Sequence, residues 1–202
     1  MMEIRSIPKV TAVLIVINVL LFLLENILGA GSEDAETALR FGALFVPYVK
    51  MRGEYYRLFT AMFLHFGPEH LGSNMLSLYI MGAYVEKAMG KARYLVIYLV
   101  SGLCGNILVY FQEMLTQDYA LSAGASGAIC GLLGVFLLFA VVPGLKRVFP
   151  LKRVLLAVAL TLAPGLGDGS INMTAHVGGL IGGFIATALF YVAARIRLLK
   201  NI

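Results

Sequence analysis

The side chains of this sequence that could do chemistry are a serine, two histidines and an asparagine within apolar stretches. Ser126 stands between glycines in Gly124-Ala125-Ser126-Gly127, His70 and Asn74 are four residues apart, and His176 begins another apolar stretch. A serine hydroxyl is a weak nucleophile until a base takes its proton, and neutral histidine is the commonest such base. We therefore predict that Ser126 is a nucleophile and that His176 is its general base.

His70 and Asn74 suit a second part of the same chemistry. The tetrahedral intermediate of acyl transfer needs hydrogen-bond donors for its oxyanion. A spacing of four residues puts both side chains on one helical face, so they can donate to one point together with the backbone N–H of Ser126. Because no acidic residue lies in the core of the stretches that carry these side chains, the sequence predicts a Ser–His dyad. This chemistry requires no cofactor and no metal.

The composition indicates that these residues are held in a membrane. Of 202 residues, 60% are hydrophobic and 13% are charged, and the mean hydropathy is +0.87. Such values are typical of a polytopic membrane protein. The net charge of +5 does not indicate nucleic-acid binding, since the basic residues form short clusters beside apolar stretches. Cys104 and Cys130 lie inside apolar stretches, which indicates neither a disulfide framework nor a metal site.

The apolar stretches predict an all-α fold, with six membrane-spanning helices in a single domain over residues 1–202. We predict spans at about 9–28, 70–86, 94–111, 125–142, 154–166 and 173–194. Residues 29–69 form a long first loop, and its apolar stretch 55–66 is shorter than the roughly 20 residues that a span needs, so we expect it to lie in the membrane interface. Glu25 is expected to face water, and the glycine-rich loop 165–172 to be flexible.

The basic residues are distributed unevenly between the two sides of this topology. Twelve lie on the side of the termini and four on the other, all four in the first loop. The twelve are Arg5, Lys9, Lys87, Lys91, Arg93, Lys146, Arg147, Lys152, Arg153, Arg195, Arg197 and Lys200. Cytoplasmic loops carry the excess of lysine and arginine. We therefore predict a multi-pass protein with both termini in the cytoplasm, in the plasma membrane.

The second, fourth and sixth spans then all begin at the outer face, and their polar residues lie near these beginnings. At about 1.5 Å of rise per residue, each polar side chain lies within roughly 10 Å of its helix start, so the four share one depth. Small residues at helical spacing let backbones approach closely. If the glycine faces of the fourth and sixth spans meet, Ser126 and His176 come within hydrogen-bond reach; these glycines are Gly127, Gly131, Gly134, Gly178, Gly179, Gly182 and Gly183.

Taken together, these motifs resemble those of the rhomboid family of intramembrane serine proteases, over nearly the whole chain. The residues that carry the resemblance are His70-Leu-Gly-Ser-Asn74, Gly124-Ala-Ser126-Gly127 with Gly131, and Ala175-His176 with Gly179 and Gly183. The resemblance implies that Ser126 is the nucleophile, His176 the base, and His70 and Asn74 the oxyanion-side residues. It also implies that the substrates are transmembrane segments of membrane proteins, with small residues beside the cut.

Two positions depart from the family pattern. Tyr56-Arg57 stands where the family often has Trp-Arg, and Cys130 stands where some members have a tyrosine that packs against the catalytic histidine. The second departure leaves open what positions the His176 ring. Neither departure removes a reacting group, so we expect activity.

Three other functions compete with this interpretation. A zinc-dependent intramembrane protease could use His65, His70 and His176 as ligands, but the sequence lacks His-Glu-x-x-His and the glycine-flanked serine would be unexplained. A relative that binds membrane helices without cleaving them would be expected to have lost Ser126 or His176. A transporter with proton-relaying histidines should show corresponding broken helices in two halves, and no such repeat is present.

Overall fold

The computed structural model describes residues 7–163 and 172–199, and over these residues the fold is helical apart from one isolated β-bridge. Residues 165–171 of the predicted loop 165–172 and the end of the predicted fifth span lie outside the described residues. The prediction of an all-α fold is confirmed. The helices are α1 (Lys9–Leu28), α2 (Ala35–Phe41), α3 (Val46–Arg52), α4 (Arg57–Thr60), α5 (Pro68–Ser77), α6 (Ala83–Met89), α7 (Lys91–Thr116), α8 (Ser126–Val141), α9 (Leu151–Leu162) and α10 (Met173–Leu199).

Length and composition separate these helices into two groups. Within the described residues, α1, α7 and α10 are long and apolar enough to cross a membrane, whereas α8 is apolar but has 16 residues. In the region of the second predicted span, α5 and α6 are joined by a π-helical segment, Leu78–Gly82, so helical structure continues from Pro68 to Met89. π-Helical segments contain one residue more than an α-helix needs and are frequent at functional sites.

The start of α5 is defined by its sequence. Gly67 has φ +82°, a backbone conformation that glycine adopts without strain, and Pro68 follows at the first helical position. Glu69 lies in the first turn, where the positive end of the helix dipole favours a carboxylate. These residues fix where α5 begins, and therefore place His70 in its first turn.

The long first loop is a folded layer rather than an extended connection. It contains α2, α3 and α4, and a 3-10 turn at Ala61–Phe63 whose side chains are buried in the core. Buried Arg57 donates hydrogen bonds to the backbone carbonyls of Leu39 and Ala43 and pairs with Glu54. These bonds join α2 to α4, so the arginine holds the layer together from within.

At the other end of the bundle, α6 is tied to the beginning of α1. The carboxylate of Glu86 accepts hydrogen bonds from the backbone N–H groups of Val10 and Thr11, at 3.0 and 2.7 Å, and from the Thr11 hydroxyl at 2.8 Å. Backbone N–H groups of a first helical turn have no partner within the helix, and the helix dipole favours an anion there. Glu86 therefore caps α1 from a neighbouring helix.

Candidate active site

Ser126 is the first residue of α8, and the first loop fixes the segment that leads to it. Gly124 has φ +137° and its N–H donates to the Ala61 carbonyl at 2.9 Å, while the N–H of Ala125 donates to Nε2 of His65 at 3.4 Å. Ser122, two residues earlier, forms the antiparallel β-bridge with Leu44. The half-buried serine thus stands at a helix N-terminus whose approach is held by three backbone contacts.

His70 lies beside Ser126, on the other side of Gly124. A Cβ atom built on Gly124 would lie 2.9 Å from Cε1 and 3.0 Å from Nε2 of His70, and 3.6 Å from the Ser126 hydroxyl oxygen. The missing side chain of Gly124 is therefore what leaves room for the imidazole. Asn74 is buried one turn further along α5 and donates one amide hydrogen to the His70 carbonyl at 2.8 Å, which leaves its second amide hydrogen for another acceptor.

His176 is placed by the N-terminus of α10. The side-chain oxygen of Asn172 accepts a hydrogen bond from the N–H of Ala175 at 3.0 Å, which is N-cap geometry. Its amide nitrogen donates to the Ser122 hydroxyl at 2.9 Å. Residues four positions before Ser126 and four positions before His176 are thereby linked directly, so the two helix beginnings are held side by side.

The glycine faces of α8 and α10 are in backbone contact. A Cβ atom on Gly179 would overlap the Gly127 carbonyl oxygen, and one on Gly183 would overlap the Gly131 carbonyl oxygen. The approach of Ser126 to His176 was predicted to depend on this contact between the two glycine faces. No hydrogen bond joins these two side chains in the described part of the chain, and the Nδ1 atom of buried His176 has no partner there.

His65, which was considered from the sequence only as a ligand of a zinc-dependent protease, lies beside His70 in the structure. It is fully buried, and its ring meets that of His70 edge-on with centroids 5.1 Å apart. Burial, followed by the neighbouring His70 charge, lowers the pKa of His65 to about 3, so the ring is neutral and Nε2 can accept the Ala125 N–H. In the sequence, only the spacing of five residues between His65 and His70 indicated that the two histidines belong together. That spacing does not indicate that His65 accepts a hydrogen bond from the Ala125 N–H.

The expectation for Glu25 was wrong. Its carboxyl group is buried, with 1% of the residue exposed, and lies beside the backbone of His65. Sequence position at the end of an apolar stretch suggested solvent, but the first loop folds over α1 and covers this carboxyl group. Glu25 therefore supports the segment that carries His65.

A cavity of about 440 Å³ lies at the start of α5. His70 lines it together with Gly67 and Pro68, and Glu33 and Glu69 add carboxylates. Within the described residues no group of three metal-ligating side chains is arranged to hold an ion. The arrangement as a whole suits acyl transfer: a hydroxyl at a helix N-terminus, an imidazole on the adjoining helix, and amide and imidazole donors on a third.

The chain is similar in sequence to several known proteins. Residues 52–193 match the family profile described as Rhomboid domain. The chain is 37% identical over 184 residues to Rhomboid protease GluP of Bacillus subtilis (strain 168), which covers 90% of this chain and 34% of that protein. It is 39% identical over 138 residues to Putative rhomboid protease YdcA of the same organism, covering 68% of each. Rhomboid protease AarA of Providencia stuartii is 28% identical over 210 residues, covering 93% of this chain and 74% of that protein.

The chain thus spans about a third of the length of GluP and about two thirds or more of the other two relatives. The profile match covers more than half of the chain and includes all four candidate site residues. Together with the apolar helices, it identifies an integral membrane protein. The chain belongs to the rhomboid family, the family of the rhomboid proteases.

Proposed function

We propose that this protein is an intramembrane serine endopeptidase that hydrolyses peptide bonds in or near transmembrane segments of membrane proteins. Ser126 is the nucleophile and His176 the general base. The observation that carries the proposal is the double link between the beginnings of α8 and α10, through the Gly127–Gly179 contact and the Ser122–Asn172 hydrogen bond. A helix-packing role alone would not account for a serine and a histidine held at these two adjoining positions.

In the proposed reaction, His176 takes the proton of the Ser126 hydroxyl as the oxygen attacks the scissile carbonyl. The imidazolium then gives this proton to the departing amine, and a water molecule releases the acyl group from the serine by the same steps. The oxyanion accepts hydrogen bonds from the Ser126 N–H, from a His70 N–H and from the free amide hydrogen of Asn74. Because each donor is fixed before substrate binds, little reorganisation is needed in the transition state.

We further propose that six spans cross the plasma membrane, with both termini in the cytoplasm and the site near the outer face. The twelve-to-four bias of basic residues supports this orientation. A substrate helix has its backbone groups bonded internally, so it must unwind locally before an amide bond reaches Ser126. Segments containing glycine, proline or polar residues should therefore be preferred.

The loop 165–172 is proposed to cover the site and α9 to move when substrate enters. The position of the loop in the chain, between α9 and the N-cap Asn172, supports this proposal. Tethering the loop by a cross-link should slow cleavage, and cleavage at an unchanged rate would count against the gating role.

The test is cleavage of a reporter with a destabilised transmembrane segment in proteoliposomes. Wild type is compared with Ser126→Ala, with His176→Ala, and with Thr187→Ala as a control that removes a hydroxyl on α10 at roughly 16 Å along the helix from His176. We expect cleavage by wild type and the control only, with all variants folded. Cleavage that persists without Ser126 would refute the serine mechanism, and a wild type that binds but never cuts several such reporters would favour the binding-only function.

A further inference from the structure

A groove of about 290 Å³ lies at the opposite end of the bundle from Ser126, between the second helical region, α8 and α9. The π-helical segment and α6 contribute Ile80 and Tyr84 to one wall, α8 contributes Phe136, and α9 contributes Val154 and Ala157 to the other wall. α9 packs mainly on α8, so the groove separates α9 from the second helical region along their length. The dyad and the oxyanion donors do not use this surface.

The groove opens toward the hydrocarbon of the bilayer rather than toward water. Ile80 on its wall is 47% exposed, and the neighbouring outer face of α9 exposes Leu155, Leu156 and Leu160. An apolar groove of this kind is occupied by the apolar molecules that surround it, and in a membrane these are lipids. A helix is about 10 Å across, so a recess of this volume admits an acyl chain but not a helix of a substrate or of a second copy.

The end of the groove at Val148 and Arg153, which we call its mouth, adjoins in the chain a basic cluster that we define as Lys146, Arg147, Lys152 and Arg153. All four are exposed, and Arg153 itself lines the groove as its one charged residue. The ion pairs of the described residues join Arg52 and Arg57 to Glu54, so none of the four has a carboxylate partner there.

The basic side chains at the start of α9 are electrostatically unfavourable unless an anion lies beside them. Lys152 and Arg153 lie in the first turn of α9, which has no acidic residue and no side-chain cap. The positive end of the helix dipole disfavours cations at that place. The charge bias that orients a membrane protein requires lysine and arginine near this membrane face. It does not require them in the first turn of a helix beside an apolar groove.

We propose that this groove binds an anionic phospholipid of the inner leaflet. The first carbons of one acyl chain lie between Tyr84 and Ala157, and the phosphate lies against the basic cluster at the mouth. From Arg153 to Ala157 α9 rises by roughly 6 Å, which matches the start of an acyl chain below its headgroup. Basic pockets between membrane helices on the cytoplasmic side bind anionic headgroups in this way. The bound lipid fills the gap between α9 and the second helical region.

The test is photolabelling in phosphatidylcholine vesicles that contain a trace of a diazirine-bearing phospholipid, with the diazirine near the start of the acyl chain. One sample carries the probe as phosphatidylglycerol and the other as phosphatidylcholine, and labelled peptides are identified by mass spectrometry. We expect the phosphatidylglycerol probe to label the peptides of Ile80–Tyr84 and Val154–Ala157 several-fold more than the phosphatidylcholine probe. This comparison needs no variant and is therefore independent of any folding defect.

Arg153→Gln should lower the excess labelling about fivefold, the effect of removing one basic residue near an anionic headgroup. Arg195→Gln is the matched control, because Arg195 is an exposed arginine on the same predicted side that does not line the groove. Equal labelling by the two probes would overturn the proposal, as would an excess that Arg153→Gln leaves unchanged. Labelling of the groove that disappears when the reporter substrate is added, or when the ratio of protein to lipid is raised, would indicate a protein occupant and would also overturn the proposal.

Discussion

The backbone contact between α8 and α10 makes Gly179→Ala the sharpest test of how the site is assembled. The added Cβ atom would overlap the Gly127 carbonyl oxygen, which belongs to the backbone of the facing helix and cannot rotate away. To restore a normal contact, the two helices must separate by about 1 Å, a displacement that can cost about 100-fold in rate when it moves catalytic groups apart. Both Ser126 and His176 lie within one turn of this contact.

The effect on stability has two opposing parts. Replacing glycine by alanine inside a helix contributes about 1 kcal/mol of helix propensity, whereas overpacking a tight interface costs about 1–3 kcal/mol. Because rigid backbone opposes the new methyl group, we expect the overpacking cost to exceed the gain and the thermal midpoint to fall. Gly72→Ala is the matched control: it is also a helical glycine, but a Cβ there meets nothing within 4 Å, so only the gain remains.

The assay combines reporter cleavage in proteoliposomes with thermal unfolding followed by helical circular dichroism. We expect Gly179→Ala to cleave about 100-fold more slowly than wild type and to unfold at a lower temperature, while Gly72→Ala stays near wild type in rate and is equally or more stable. If Gly179→Ala matched the control in both measurements, the glycine contact would not set the distance between nucleophile and base.

Three further predictions concern residues around the site. Arg57→Ala removes the hydrogen bonds to the Leu39 and Ala43 carbonyls and the ion pair with Glu54, and should lower the free energy of unfolding by about 3 kcal/mol. Exposed Arg52→Ala should change it by less than about 1 kcal/mol; equal losses in denaturant titrations would refute the role of Arg57. The folded-state pKa of His65 is about 3, so its contribution to stability is complete above about pH 6.5 and is lost as the pH falls toward 3. The free energy of unfolding should fall by about 2 kcal/mol between neutral pH and pH 5. His65→Asn should flatten the plot of the free energy of unfolding against pH. Asn172→Ala removes the α10 cap and should cost about 1 kcal/mol and slow cleavage, whereas Ser122→Ala, which removes only the link between the loops, should be milder in unfolding and activity assays.

The sequence predicted what depends on repeated patterns. Runs of apolar residues predicted the all-α fold, and the motifs around Ser126, His70 and His176 predicted the rhomboid family; both are confirmed. The catalytic roles, the six-span count and the orientation stay predictions. The glycine spacings of the fourth and sixth spans indicated which helix faces meet, because a stripe of small residues has few other uses between membrane helices.

The sequence could not predict what depends on tertiary contacts. Helices of seven residues or fewer, such as α2, α3 and α4, are not stable alone and leave no strong periodic signal. The burial of Arg57, Glu25 and His65 follows from how the first loop folds over the bundle, and local sequence does not specify that path. A residue that supports the site through its neighbours therefore looks, in sequence, like any other polar residue of a loop.

The π-helical segment Leu78–Gly82 has a consequence for how this chain can change length. A π-turn takes up one extra residue within a single widened turn, so deleting one residue there would leave a regular α-helix whose two flanks keep nearly the same relative orientation. Deleting a residue from the α-helical parts of Pro68–Met89 would instead rotate Glu86 by about 100° relative to His70, and Glu86 would turn away from the start of α1. Within this stretch, a single deletion should therefore be tolerated only in Leu78–Gly82.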